Sequence, residues 1–170
     1  MNPKTKPTTN LNENLAAYKT YAAGEGINLE RFVERGGRML GAKAFSALPG
    51  GLAAFREKIN PLRSAHPRLR RQLEFLASFF ESAPTNLPEH VRNETAFALL
   101  YAVQDNDLLP DDMPDVGHVD DAAVTEIVLT RHAGIFERHC AAHDIEWAAL
   151  QPEPQHENGS TAPTPSATET

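Results

Sequence analysis

The chain has 170 residues, 41% of them hydrophobic, one cysteine (Cys140) and a formal net charge of −7. That is enough apolar material for one self-supporting domain. The lone thiol rules out an intramolecular disulfide framework and fits a reducing, cytoplasmic setting. The longest apolar run, residues 96–103, is far short of the roughly 20 residues that a membrane-spanning helix needs.

The charge is divided along the chain. Residues 1–75 hold 13 Lys and Arg against 6 Asp and Glu, whereas residues 76–170 hold 3 against 17. Such a division suits attraction between the halves, within one fold or between two copies, more than it suits a nucleic-acid partner.

Taken in order, residues 1–10 are polar and read as a disordered tail. Leu11, Leu15 and Tyr18 recur at helical spacing and predict a helix over 11–23, ended by Gly24 and Gly26. Asn28 is a suitable N-cap for a second helix that runs to about Gly41 or Leu48. Pro49-Gly50-Gly51 predicts a turn, followed by a short helix to Ile59 that Pro61 stops. Pro67 opens the next helix, where its missing N–H costs nothing. Leu69, Leu73, Leu76 and Phe80 form its apolar stripe, and Phe75 and Phe79 are expected to pack inward.

Pro88 starts a helix that reaches Val103, with Glu89 near its positive end. A long helix is predicted from about Asp121 to Ala142 and a short one over Asp144–Leu150. Residues 151–170 lack large apolar side chains and cannot bury enough surface to order themselves. There is no alternating strand pattern. The expected fold is an all-α single-domain bundle of about five to seven helices over residues 11–150.

Between the helices on either side lies the segment 105–121, with seven Asp, two Pro, one Gly and no Lys or Arg. Pro110 and Pro114 break helical continuity and bias Leu109 and Met113 toward extended geometry. Gly117 can turn the chain. Asp120 is placed to N-cap the long helix, with Asp121 in its first turn and Val119 and Val124 at the staple positions. Asp107 and Asp111 could cap similar turns.

A metal site is the alternative use of these carboxylates. Asp107, Asp111, Asp120 and Asp121 would suit Mg2+, Mn2+ or Ca2+. The spacing does not follow a calcium loop, because Leu109 stands at its fifth position. Capping and turn-making account for more of the residues.

Tyr101, Asp107-Leu108-Leu109-Pro110-Asp111, Pro114, Gly117 and Asp120-Asp121 together resemble the signature of the YkvA-like family of small proteins of unknown function. The likeness covers about 40 residues, within 88–130. It implies a helical domain in which a Pro/Asp-rich turn joins two core helices. It brings no reaction, substrate or cofactor. Members of that family are often described as membrane-associated. The chain departs from the pattern at Gln104-Asp105-Asn106, and at Asp112, Asp115 and His118, where the family usually carries apolar residues.

One further constellation lies downstream. Leu129, His132, Phe136, His139 and His143 share a helix face. His139 and His143, at i and i+4, form a second candidate metal pair, with Cys140 or Glu146 nearby. Cys140 occupies the place of the general base in H-E-x-x-H, so the metalloprotease pattern is absent. No phosphate loop or nucleophile motif occurs.

The sequence therefore reads as a non-enzymatic interaction or accessory module, with a protein partner or self-association and no cofactor. The alternatives are a divalent-metal enzyme or binder on the Asp cluster, and peripheral membrane or nucleic-acid association through the basic half.

Overall fold

The structure, a computed structural model, describes residues 11–103 and 118–151. Among them the chain forms eight α-helices and one 3-10 turn, and no strand. The all-α class is as the periodicity predicts, with more helices than the five to seven expected.

The helix α1, Leu11–Gly24, closes on Gly26, whose φ of +73° suits a residue without Cβ. α2 spans Leu29–Met39, and Asn28 caps it through Oδ1, which accepts from the backbone N–H of Arg31 at 2.9 Å. α3 spans Ala42–Ile59. It runs straight through Pro49-Gly50-Gly51, so the expected turn there is wrong. Leu48, Leu52, Phe55 and Ile59 are buried at helical spacing, while Pro49, Gly50 and Gly51 face outward. Burial of one continuous face outweighs the local breakers.

α4 is a single turn, Leu62–Ala65, that follows Pro61. α5 spans Pro67–Ser82 with proline in its first turn, and it buries Leu69, Leu73, Phe75, Leu76 and Phe79. The aromatic residues pack inward, as expected. Arg56 on α3 clamps two carboxylates of α5, with Nε 2.8 Å from Glu74 and Nη2 2.6 Å from Glu81.

α6 is Glu89–Tyr101, α7 is Val119–Arg131 and α8 is Ala133–Ala142. The long helix expected over 121–142 is therefore two helices. They break at His132, with φ −112° and ψ 19°, two residues before Gly134, a weak helix former. The final helix expected over 144–150 shrinks to a 3-10 turn at Trp147–Ala149.

α6 and α7 form the centre. α6 packs against α2, α3, α5 and α7, and α7 packs against α1, α2, α5, α6 and α8. The helices flanking the acidic segment are thus the core pair. α2 approaches α6 through two glycines: a Cβ on Gly36 would stand 2.3 Å from the Phe97 ring, and one on Gly37 would stand 3.1 Å from the backbone nitrogen of Glu94. The core aromatic group of Phe75, Phe79, Phe136 and Trp147 joins α5, α8 and the 3-10 turn. No described helix is long and apolar enough to cross a membrane.

Candidate functional site

The α6–α7 seam is apolar in sequence except for a few charged positions, and those positions carry its chemistry. Glu94, Asp120, Asp121, Glu126 and His132 are all buried. A buried charge is costly unless another charge or several hydrogen bonds hold it. Here Glu94, Asp120, Glu126 and His132 find partners on another helix, and Asp121 pairs with His118 at the start of its own.

At one end, Tyr101 closes α6 and Asp120 lies in the first turn of α7. Tyr101 donates its hydroxyl to Asp120 Oδ2 at 2.9 Å, and Asp120 Oδ1 accepts the backbone N–H of Asp121 at 3.1 Å. Asp120 is 0% exposed. The helix starts at Val119 with His118 at the N-cap position, so Asp120 is not the cap that the sequence led us to expect. It sits inside the first turn, where the orphan amides and the helix dipole still favour its charge, and its side chain is drawn to Tyr101. Tyr18 on α1 lies close enough that its phenol is held above the usual range, by burial first and then by the Asp120 charge.

Beside it, His118 Nδ1 stands 3.3 Å from Asp121 Oδ2. The ring of His66, from the junction of α4 and α5, meets the His118 ring edge to face with 5.5 Å between centroids. Burial, then the neighbouring His118, pushes the His66 imidazole below its ordinary value.

At the other end, Glu94 of α6 accepts from Arg131 Nε at 3.1 Å and Nη2 at 3.3 Å, and lies 2.8 Å from His132 Nε2. Burial lowers the His132 value, and Glu94 opposes that shift without cancelling it. Midway along α7, Glu126 takes Lys19 of α1 at 2.7 Å. An open cleft of about 680 Å³ lies over this pair, between α1, the start of α2 and α7, and Glu30 and Arg131 stand at its rim.

Of the residues singled out in the sequence, Tyr101, Asp120 and Asp121 come together. Asp107, Leu108, Leu109, Pro110, Asp111, Pro114 and Gly117 lie outside the described residues, as do Asp105, Asp112 and Asp115. His139 and His143 have ring centroids 4.3 Å apart at the end of α8, with His139 leaning on Phe79. Cys140 between them is buried, and burial raises its thiol pKa, so it is a poor ligand at neutral pH. Glu146 is exposed. Among the described residues, no group of three or more His, Cys, Asp and Glu is placed to hold a metal ion.

The sequence reading missed Glu94, Glu126, Lys19 and His66. A signal existed for the first two, because each carboxylate interrupts an apolar helix face: Glu94 lies between Val91 and Ala98, and Glu126 between Ala122 and Leu129. For Lys19 and His66 only tertiary contact reveals the role. Comparison of the chain with family models, with curated proteins and with solved structures finds no match.

Proposed function

We propose that this chain is a non-enzymatic helical module that presents a binding surface, with a YkvA-like turn setting its two core helices. What supports this reading most is where the buried charges go. Glu94, Asp120, Asp121 and Glu126 are each bonded to protein groups that tie α6, α7, α1 and the start of α7 together. Groups committed to such bonds stabilise a scaffold, whereas a catalytic carboxylate must face a substrate. Tyr101 and Asp120, two positions of the YkvA-like signature, meeting across the segment they flank supports the structural use of that signature.

On this reading Asp112 and Asp115, which capping and turn-making explain least, belong to the binding surface. The divalent-metal reading of Asp107, Asp111, Asp120 and Asp121 draws less support, because both Asp120 oxygens already accept hydrogen bonds from the protein.

The test is co-purification of partners with wild type and with Asp112→Asn/Asp115→Asn, alongside thermal melts with and without Mg2+, Mn2+ and Ca2+. The expected result is loss of a stoichiometric partner, or of self-association, in the double variant at unchanged melting temperature. A metal-dependent rise in melting temperature that Asp120→Asn abolishes would favour the metal reading instead.

A further inference from the structure

We propose that the cavity between the α5–α6 loop and α8 is a binding site for a small monocarboxylate with an apolar, ring-sized body, its head held by Arg138. The site uses none of the carboxylates considered above and does not rest on the proposed binding role.

The cavity holds about 390 Å³, within the range of small-molecule sites. Phe79 of α5, itself buried in the core, closes its inner end, and Leu87, Pro88 and Ile135 give it apolar sides. The loop that carries one wall is held in shape. The Leu87 N–H donates to the Pro84 carbonyl at 3.0 Å, Arg92 Nη2 reaches the same oxygen at 3.4 Å, and the two prolines fix φ at 84 and 88. α8 supplies the opposite wall from Ile135 to His139. Walls already in place cost little to order when a ligand arrives.

Charge decides the ligand. Arg138 is a cation of the lining, and among the described residues no carboxylate lines the cavity. Residues 76–170 hold 17 Asp and Glu against three basic residues, Arg92, Arg131 and Arg138. Arg131 is committed to Glu94, and Arg92 to the loop. Arg138 makes no ion pair or side-chain hydrogen bond among the described residues. In a half of the chain so rich in acid, a guanidinium left without one beside an apolar cavity is placed for an anion from outside.

The head of Arg138 lies back over the preceding turn of α8: a Cβ on Gly134 would come to 3.8 Å from its Nη1. That turn also carries Ile135, so the cation stands beside the apolar wall. Its planar fork matches a carboxylate through two parallel N–H bonds. Asn86, on the loop side, brings a side-chain amide with donors of its own. The ring of His139 meets Phe79 edge to face, 4.9 Å between centroids. Burial, then the neighbouring His143, holds that imidazole below its ordinary value, so at neutral pH it adds aromatic surface and no second positive charge. One cation and an apolar interior suit one negative charge on an apolar body.

The experiment is an NMR titration of the full chain, followed at the backbone amides, with phenylacetate, phenylacetamide and acetate. Phenylacetate is expected to saturate with a Kd below about 1 mM, a realistic affinity for a ligand of its size. It should move the amides of Asn86, Leu87, Ile135 and Arg138. Phenylacetamide keeps the ring and loses the charge, and acetate keeps the charge and loses the ring, so each should bind about tenfold more weakly or worse. Arg138→Gln should lower the affinity for phenylacetate about tenfold, and Arg138→Lys by less, because lysine keeps the charge and loses the fork. Arg138 is exposed, and unchanged amide signals away from the cavity check that both variants fold. No saturable shift up to about 10 mM phenylacetate would overturn the assignment. So would shifts centred elsewhere, equal binding of phenylacetamide, or full affinity in Arg138→Gln.

Discussion

The hydroxyl of Tyr101, at the end of α6, donates at 2.9 Å to the carboxylate of Asp120, one residue into α7. The bond is buried and bridges the two helices on either side of the acidic segment. Tyr101 also touches the ring of Phe32 on α2, at 5.8 Å between centroids, so one side chain ties three core helices together.

Removing that hydroxyl with Tyr101→Phe keeps the ring packing and leaves a buried carboxylate short of a donor. The expected loss is about 1–3 kcal/mol, the penalty for an unsatisfied buried acceptor. It should be read from the urea midpoint at unchanged m-value. Asp120→Asn in the Tyr101→Phe background should cost less than the two separate losses added together, because the second change removes a charge already stranded. Strict additivity would mean that the two groups are not coupled.

At the far end of the same seam, Glu94 holds Arg131 and His132 at once. Glu94→Gln keeps the shape and removes the charge that pairs with the guanidinium. Breaking a buried ion pair costs about 3–5 kcal/mol, and the low end applies here because the Arg131 side chain keeps water contact. Arg131→Lys should cost less, since a lysine retains the charge and loses the two-pronged geometry. Equal losses from Arg131→Lys and Glu94→Gln would show that the paired geometry matters more than the charge.

How much of this was readable beforehand depends on the kind of signal. Asn28 capping α2, Pro67 opening α5 and the buried stripe of Leu69, Leu73 and Leu76 are local rules that the fold obeys. Pro49-Gly50-Gly51 is a local rule that it overrides, because Leu48, Leu52, Phe55 and Ile59 gain more by staying on one helical face. The shared face of Leu129, His132 and Phe136 was legible, and all three are buried. The break at His132 was not, because it goes with a bond to Glu94, 38 residues earlier. For the candidate site, the pattern drew attention to Asp120 and Tyr101 but placed Asp120 at the cap. The Asp120 side chain bonds instead to Tyr101 on another helix, a contact that no spacing rule contains.

The glycines divide into two classes with opposite expected effects. A Cβ at Gly37 would press on the backbone of Asn93 and Glu94, which cannot swing aside, at 3.1–3.2 Å. Gly37→Ala should therefore destabilise by about 1–3 kcal/mol, the cost of overpacking, despite alanine's better helix propensity. At Gly50 and Gly51 nothing lies within 4 Å of a new Cβ. Alanine there should stabilise by about 0.4–1 kcal/mol through the unfolded state and helix propensity. Thermal melts of the three single variants check this directly. A gain at Gly37 would mean that α2 can move away from α6 at little cost.

Acid should loosen the fold through its buried and half-buried histidines. His132 is 6% exposed, and burial is the largest influence on it, lowering its pKa below the ordinary 6.5. His66 and His139 are lowered in the same direction, also by burial. Between the depressed folded value and 6.5, the unfolded chain binds more protons than the folded one, so stability rises with pH in that window. The contribution is complete above about pH 6.5 and is lost as pH falls through the folded value. One such group changes stability by at most about 1.4 kcal/mol per pH unit. A protonated His132 would place a second cation beside Arg131 and against Glu94, with His90 5.5 Å away by ring centroids, at the junction of α7 and α8. Urea denaturation from pH 7.5 to 5 should show this fall in stability, and His132→Gln should flatten it by up to one proton's worth. An unchanged slope in His132→Gln would assign the dependence to His66 and His139, and His66→Gln would then be the variant that flattens it.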